Sequence, residues 1–192
     1  MKSLKEIADN KAYSERKQKY DNYLDKHISG VQKCFEEKIV PFYELSDTDL
    51  TDIREQLSHH DESKYGEDEY EPYLNKFYKY PNTSMQDVQD TNNKFAYAWL
   101  HHIHNNPHHP QYWYLRNDTD HEDDRMLDMP LNYIIEMLCD WGSFAYMDSK
   151  LKSNITPNSN AHHWYELHGG EIGFSDNTIK IIEEILDKCP NL

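Results

Sequence analysis

Apolar residues recur every three or four positions along most of the chain, which is the spacing of one face of an α-helix. In residues 4–38 this stripe includes Leu24, Ile28 and Val31, and Pro41 ends it. The pattern therefore predicts a long first helix.

The same spacing predicts several more helices, and no segment alternates between apolar and polar residues as a strand would. We expect Ser46 or Asp47 to cap the second helix, Asp128 to cap a helix that starts near Pro130, and the SDNT segment to cap the last one. The other predicted helices lie within residues 65–82, from about Ser84 to Asn105, and in residues 156–168 and 176–188.

The length and composition fit a single all-α domain. A chain of 192 residues can bury a core without disulfides. Only 6 Gly and 8 Pro argue for long helices rather than a turn-rich β protein, and the 15 Tyr and 4 Trp compensate for few aliphatic residues because each aromatic ring buries a large area. We expect one domain over residues 1–192.

The charge and the cysteine content exclude some classes of protein. A net charge of -15 disfavours a broad nucleic-acid-binding surface, although it leaves a small anionic substrate possible. The 3 cysteines are too few and too dispersed for a disulfide framework, and the polar first residues contain no apolar leader. No segment is apolar enough for a membrane span. We expect a cytoplasmic protein that does not bind membranes.

Several predicted helices carry an ionisable residue on their apolar stripe. His27 lies three residues after Leu24, and the stripe that contains Leu57 continues into His60 and Asp61. Because residues three or four apart share a helix face, these polar side chains point toward the predicted core.

Two later helices repeat this arrangement. His102 lies three residues after Trp99 and seven after Phe95, and Asp140 lies three residues after Met137. A buried imidazole or carboxylate is unfavourable unless it is paired or coordinated, and one shared metal ion would satisfy several of them.

Two other interpretations of the histidines remain open. Each can be a hydrogen-bonded core residue. The five histidines in residues 101–109 can also form a solvent-exposed tract that binds metal ions nonspecifically. His101 and His104 point away from the stripe of Trp99, so we expect them to face solvent.

The order of these residues resembles the HD superfamily of metal-dependent phosphohydrolases, a helical family named for its His-Asp dyad. The segment HHDESK resembles the His-Asp-x-x-Lys form, with Lys64 three residues after Asp61. The segments AWLHHIHNNPHHPQYW and EMLCDW resemble an uncharacterised HD-like family of bacteria and phages. The resemblance implies an HD-like helical bundle with its motif core in residues 24–145 and a helical extension in residues 146–192.

The resemblance also implies a set of metal ligands. One ion would be held by His27, His60, Asp61 and Asp140, and Asp61 would bridge to a second ion. The second ion would be completed by His102 and by one or both of His108 and His109. His102 and His109 are closer in sequence than in most two-metal members, so His108 and His109 are alternatively phosphate contacts or residues that orient the helix end. The donors suit Mn, Fe, Co, Ni or Zn, with Mg possible.

The leading functional expectation is hydrolysis of a small phosphoester, a nucleotide in particular. Asp61 and Lys64 are the expected catalytic residues, with Lys64 neutralising phosphate charge, although it could also be a solvated surface lysine. Glu62 and Glu136 are candidate general bases or hydrogen-bond partners of histidine N–H groups. The alternatives are an HD-fold diiron oxygenase and a non-catalytic metal or nucleotide binder. We expect replacement of His162 and His163 to leave the site intact.

Overall fold

The computed structural model describes residues 4–80, 84–118, 122–147 and 160–192. Nearly all regular structure in these ranges is helical, which confirms the all-α class. The α-helices are α1 (Leu4–Cys34), α2 (Asp47–Ser58), α3 (Tyr70–Phe77), α4 (Met85–Asn105), α5 (Leu131–Ser143), α6 (Ala161–Ile172) and α7 (Asp176–Lys188).

Short segments join the helices. A π-helical turn, Phe35–Ile39, continues α1, and 3-10 turns occupy Glu62–Tyr65, Pro110–Trp113 and Phe144–Tyr146. Two strands, β1 (Tyr114–Leu115) and β2 (Arg125–Met126), pair antiparallel with Tyr114 opposite Met126. Strands of two residues are too short to produce an alternating pattern, so the sequence did not predict them.

The predicted caps are right in two cases and wrong in one. Ser46 caps α2 and Ser175 caps α7, each through a side-chain oxygen that accepts a backbone N–H of the first turn. Asp128 does not cap α5, because the residue before that helix is Pro130. The carboxylate of Asp128 instead accepts the hydroxyl of Ser175 at 2.5 Å. The predicted start of the sixth helix at residue 156 lies outside the described residues, and α6 extends to Ile172.

The chain divides into two compact units. Unit 1 contains Met1–Asp25 and Asp61–Asn105, and unit 2 contains Lys26–His60 and Asn106–Leu192. The single-domain organisation predicted for residues 1–192, with a motif core and a C-terminal extension, stays a prediction.

The core of unit 1 is largely aromatic, as the composition suggested. α3 packs against α4, and the buried residues include Tyr20, Leu24, Tyr73, Leu74 and Ala98. Tyr73 meets the ring of Phe95 edge-on, with the ring centres 5.0 Å apart. Tyrosine rings thus replace much of the aliphatic packing that a helical unit of this size needs.

The core of unit 2 is built around α5, which contacts α2, α6 and α7. Its buried residues include Val31, Phe35, Ile39, Ile53, Leu57, Ile134, Ile135, Leu138, Ile182 and Ile185.

The state of the cysteines and the character of the helices can be read from the structure. Cys34, Cys139 and Cys189 are buried free thiols, so the described residues contain no disulfide. In the part of the chain that the structure describes, no helix combines the length and the apolar character needed to cross a bilayer.

Candidate metal centre

Unit 2 brings together three of the predicted metal ligands. The Nε2 atom of His27 lies 3.1 Å from Oδ1 of Asp140 and 3.4 Å from Nε2 of His60, and the latter atom lies 3.9 Å from Oδ1 of Asp140. Three potential donor atoms from α1, from the residues after α2 and from α5 therefore converge on one point.

The tautomer of His27 follows from its contact with Ser143. The Oγ–H of Ser143 donates to the carbonyl of Asp140 at 2.7 Å, so the hydroxyl oxygen is left to accept. The Nδ1 atom of His27 lies 3.1 Å from that oxygen and must carry the proton that is donated. The lone pair of His27 is then on Nε2, on the side of Asp140.

A buried glutamate gives His60 the same tautomer. Nδ1 of His60 lies 2.7 Å from Oε1 of Glu136, and the amide of Gln56 donates to Oε2 of Glu136. Burial raises the pKa of Glu136, but hydrogen bonds from His108 and His60 outweigh it and lower that pKa to about 2. An ionised carboxylate only accepts, so His60 donates through Nδ1 and its lone pair is on Nε2.

Three residues on one face of α5 organise this centre. Glu136, Asp140 and Ser143 are four and three residues apart, so their side chains project from the same side of the helix. Glu136 orients His60, Ser143 orients His27, and Asp140 supplies the carboxylate between them. This helix is therefore the structural reason that the two imidazoles meet.

The donor set fits a divalent metal ion. Ligand atoms that surround a metal tetrahedrally at about 2.0–2.1 Å are about 3.3 Å apart, which is close to the three observed separations. Burial raises the pKa of Asp140, but the hydrogen bond from the protonated form of His27 and nearby imidazole charge hold it well below its usual range. The side chain of Asp140 is 17% exposed, against 3% for His27 and 0% for His60, so the group opens to solvent beside the carboxylate. Buried His and Asp side chains here could hold a metal ion.

His108 and His109 also lie in unit 2. His108 is buried, with Nδ1 3.3 Å from Oε1 of Glu136 and its ring centre 4.5 Å from that of His60. His109 is half-buried, and its ring centre lies 4.3 Å from that of His108. His108 and the expected ligand His60 thus contact the same carboxylate oxygen of Glu136.

Unit 1 pairs Asp61 with Lys64. Nζ of Lys64 donates to Oδ2 of Asp61 at 2.5 Å, and their side chains are only 14% and 1% exposed. Burial lowers the pKa of Lys64, but the Asp61 charge and other neighbours raise it above its usual value. The interpretation of Lys64 as a solvated surface lysine is therefore wrong.

The backbone of Asp61 adopts an uncommon conformation. Its φ of 58° is the only positive value at a non-glycine residue among the described residues. Asp and Asn tolerate this left-handed region better than other residues that carry a Cβ. The turn places the Asp61 side chain at the start of the 3-10 segment that contains Lys64.

Glu69, which the sequence analysis missed, orients His102 in unit 1. Nδ1 of His102 lies 2.8 Å from Oε2 of the fully buried Glu69, while Nε2 lies 3.3 Å from Oδ1 of Asp61. Burial raises the pKa of Glu69, but hydrogen bonds from His102 and His101 keep it below its usual value. Glu69 immediately precedes α3 and lies four residues before the buried Tyr73, and that spacing is the signal that could have identified it.

The expectation for the two outward histidines is half right. His104 is exposed, as expected. His101 is not, because Nδ1 of its partly buried ring lies 2.7 Å from Oε1 of Glu69. Glu69 thus accepts hydrogen bonds from two consecutive histidines.

The remaining candidates are two glutamates and two histidines near the C-terminal helices. Glu62 is exposed, whereas Glu136 is the partner of histidine N–H groups that the sequence suggested. His162 donates to the backbone carbonyl of Cys189 at 3.0 Å. Neither His162 nor His163 belongs to a possible metal-binding group of the described residues.

Comparison with known proteins identifies a family but no activity. The model of DUF5662, described as a family of unknown function, matches residues 16–188. No curated protein and no solved structure matches the chain. The match spans all the candidate ligands, and the resemblance to the HD superfamily stays a prediction.

Proposed function

The chain belongs to DUF5662, a family of unknown function, and we propose that it is an HD-type metal-dependent phosphohydrolase that acts on a small phosphoester such as a nucleotide. The observation that carries this proposal is the convergence of His27 Nε2, His60 Nε2 and Asp140 Oδ1. In their neutral form the two imidazoles present lone pairs beside a carboxylate oxygen, and this arrangement suits a bound cation.

The metal would be held by His27, His60 and Asp140, and imidazole ligands favour Mn, Fe, Co, Ni or Zn over Mg. Such an ion supplies Lewis acidity toward a phosphoryl oxygen and activates water as a nucleophile. The protein's part is to fix the imidazole tautomers through Ser143 and Glu136 and to leave the Asp140 side open to solvent.

The pair of Asp61 and Lys64 supports a phosphorylated substrate. Nζ of Lys64 carries a positive charge in a largely buried setting, where it stabilises phosphate charge more strongly than in water. Asp61 holds that ammonium group at 2.5 Å and follows the ligand His60 directly in the chain. The net charge of -15 favours a small phosphoester over a long nucleic acid.

The donor set favours one alternative. Two histidines and one carboxylate with open positions are also the ligand set of non-haem iron oxygenases. An iron-containing protein that activates oxygen is therefore the second candidate function. It differs from the first in the metal that is bound and in its need for oxygen.

The test compares metal content and turnover in three proteins purified without added metal. We expect the wild type to contain a stoichiometric transition metal and to hydrolyse members of a nucleotide and nitrophenyl phosphate panel supplemented with Mn²⁺. Asp140→Asn keeps the size of the side chain but removes its charge, so it should lose both. Asp128→Asn, a carboxylate bonded to Ser175, is the matched control and should keep both.

Each outcome has a distinct meaning. Equal metal in wild type and Asp140→Asn would refute the proposed centre. Tight metal binding without hydrolysis of any phosphoester would refute the hydrolase and favour a binding protein. Iron with oxygen-dependent turnover would favour the second candidate.

A further inference from the structure

The carboxylate of Glu136 is surrounded by nitrogen donors. Oε1 lies 2.7 Å from Nδ1 of His60 and 3.3 Å from Nδ1 of His108, and Oε2 accepts the amide N–H of Gln56. The amide of Gln56 is itself oriented, because its oxygen accepts from Asn132 at 2.5 Å. Glu136 is only 4% exposed, so these hydrogen bonds form in a setting that is largely shielded from water.

We propose that Glu136 is a positioning residue that commits both His60 and His108 to the tautomer with the proton on Nδ1, so that each ring presents Nε2 to metal. This inference rests on the proposed metal-dependent function and makes His108 a further candidate ligand. Because Oε1 faces two imidazole nitrogens, a single carboxylate sets two rings at once.

The geometry disfavours the opposite assignment. A protonated Glu136 has one O–H and could donate to only one of its nitrogen neighbours, while the other histidine and the Gln56 amide still require an acceptor. Ionised Glu136 accepts from all three nitrogens. The ring centres of His60 and His108 lie 4.5 Å apart, so both rings can reach the same carboxylate oxygen.

A carboxylate that accepts the second N–H of a ligating histidine fixes its orientation and raises its basicity. Removal of such a partner typically weakens metal binding by about 10- to 100-fold. Glu136→Gln is the informative change, because the amide has nearly the same shape but one of its two ends must donate. The Gln56 amide, held by Asn132, requires an acceptor at the Oε2 position, so the new NH2 group faces both histidines. It drives them to the tautomer with the proton on Nε2, which removes their lone pairs from the metal side.

The first measurement is long-range proton–nitrogen NMR of the metal-free protein, which distinguishes the two imidazole tautomers. We expect the wild type to show His60 and His108 protonated at Nδ1, and Glu136→Gln to move at least one of them to Nε2. Wild-type His60 or His108 protonated at Nε2 would overturn the proposal, even if the variant did not fold. An unchanged tautomer pattern in folded Glu136→Gln would overturn it as well.

The second measurement is a titration with Co²⁺ that is monitored by calorimetry and by visible absorption. Glu136→Gln should bind Co²⁺ about 10- to 100-fold more weakly, whereas Glu37→Gln should match the wild type. Glu37 is a suitable control because it is an acceptor for the hydroxyl of Tyr146 in the same unit. Equal Co²⁺ affinity in all three proteins would contradict the inference.

These readouts separate the inference from the proposed function. The NMR experiment uses neither metal nor substrate, so a protein with the expected tautomers and no phosphohydrolase activity would refute only the function. A hydrolase with Glu136-independent tautomers would refute only the inference.

Discussion

The Nε2 atoms of His27 and His60 lie 3.4 Å apart, and in the neutral form of each ring the hydrogen bond at its far side leaves Nε2 with a lone pair. Two lone pairs at this distance repel each other, and Oδ1 of Asp140 adds negative charge beside them. The metal-free centre is therefore electrostatically unfavourable, and a cation relieves that cost.

Metal binding should stabilise the folded protein in a pH-dependent manner. An ion present at 100 times its Kd adds about 2.7 kcal/mol to the free energy of unfolding. Protons compete for imidazole nitrogens, so the gain should shrink when the pH falls from about 7.5 to about 5.5. Thermal unfolding with and without Mn²⁺ or Zn²⁺ measures this, and Asp140→Asn should show little gain at either pH. A gain that grows on acidification would contradict the ligand assignment.

Substitutions at Asp61 should separate the effect of its charge from the effect of its backbone conformation. Both Asp61→Asn and Asp61→Ala remove the partner of Lys64 and should abolish turnover. Alanine is also disfavoured at a φ of 58°, so it should be less stable than asparagine by about 1 kcal/mol. Chemical denaturation measures the difference in stability between the two variants. The double variant Asp61→Asn with Lys64→Met should recover stability without turnover, because it no longer leaves a buried ammonium group without its carboxylate. Full turnover in Asp61→Asn would disprove the role of the dyad.

The histidine-rich segment should not behave as a uniform surface tract. His101→Ala removes a donor to buried Glu69 and should cost about 1–3 kcal/mol of unfolding free energy. His104 is exposed, so His104→Ala should change stability by less than about 0.5 kcal/mol. Neither should change the metal content of the purified protein, which elemental analysis would check. Similar losses of bound metal in both variants would favour nonspecific metal binding by a surface histidine tract.

Glu69 should be needed for the orientation of His102. In Glu69→Gln the amide can accept from only one of His101 and His102, so one buried donor loses its acceptor. We expect a loss of about 1–3 kcal/mol in stability and a changed NMR tautomer for one of the two rings. Glu71→Gln, which alters an exposed carboxylate that accepts from Tyr13, is the control and should leave both rings unchanged. Unaltered imidazole signals in Glu69→Gln would show that other contacts position His102.

Gly142 should be intolerant of a side chain. A Cβ atom at this position would lie 2.5 Å from Sγ of buried Cys34. Gly142→Ala should therefore destabilise the protein by about 1–3 kcal/mol through overpacking. Adding Cys34→Ala should recover part of that loss, and a double-mutant cycle of denaturation midpoints would measure the coupling. Additive effects would mean that the two positions do not interact.

The helix periodicity predicted the ligands that share a stripe with core residues. Leu24 and Val31 are completely buried, so His27 between them had to point inward. His60 is equally buried, but it lies after the end of α2, so its position depends on the turn there and not on the stripe of Leu57. Periodicity works for His27 because burial of the apolar neighbours leaves a residue on the same face no other direction.

The partners that orient these ligands were harder to predict. Glu69 lies in an acidic, tyrosine-rich segment where most carboxylates are solvated, so its charge suggested a surface position. Ser143 and Gln56 bear no charge and match no metal-site pattern. Their roles depend on which helices meet in space, and a single helix's periodicity contains no such information.

The face of α5 that bears Glu136, Asp140 and Ser143 has a consequence for thermal motion. The ligand carboxylate and the groups that hold both imidazoles belong to the same two turns of one helix. When α5 shifts as a rigid element, the hydrogen bonds draw both rings along with it. The centre can therefore follow the fluctuations of its surroundings while the distances between its donor atoms stay nearly constant.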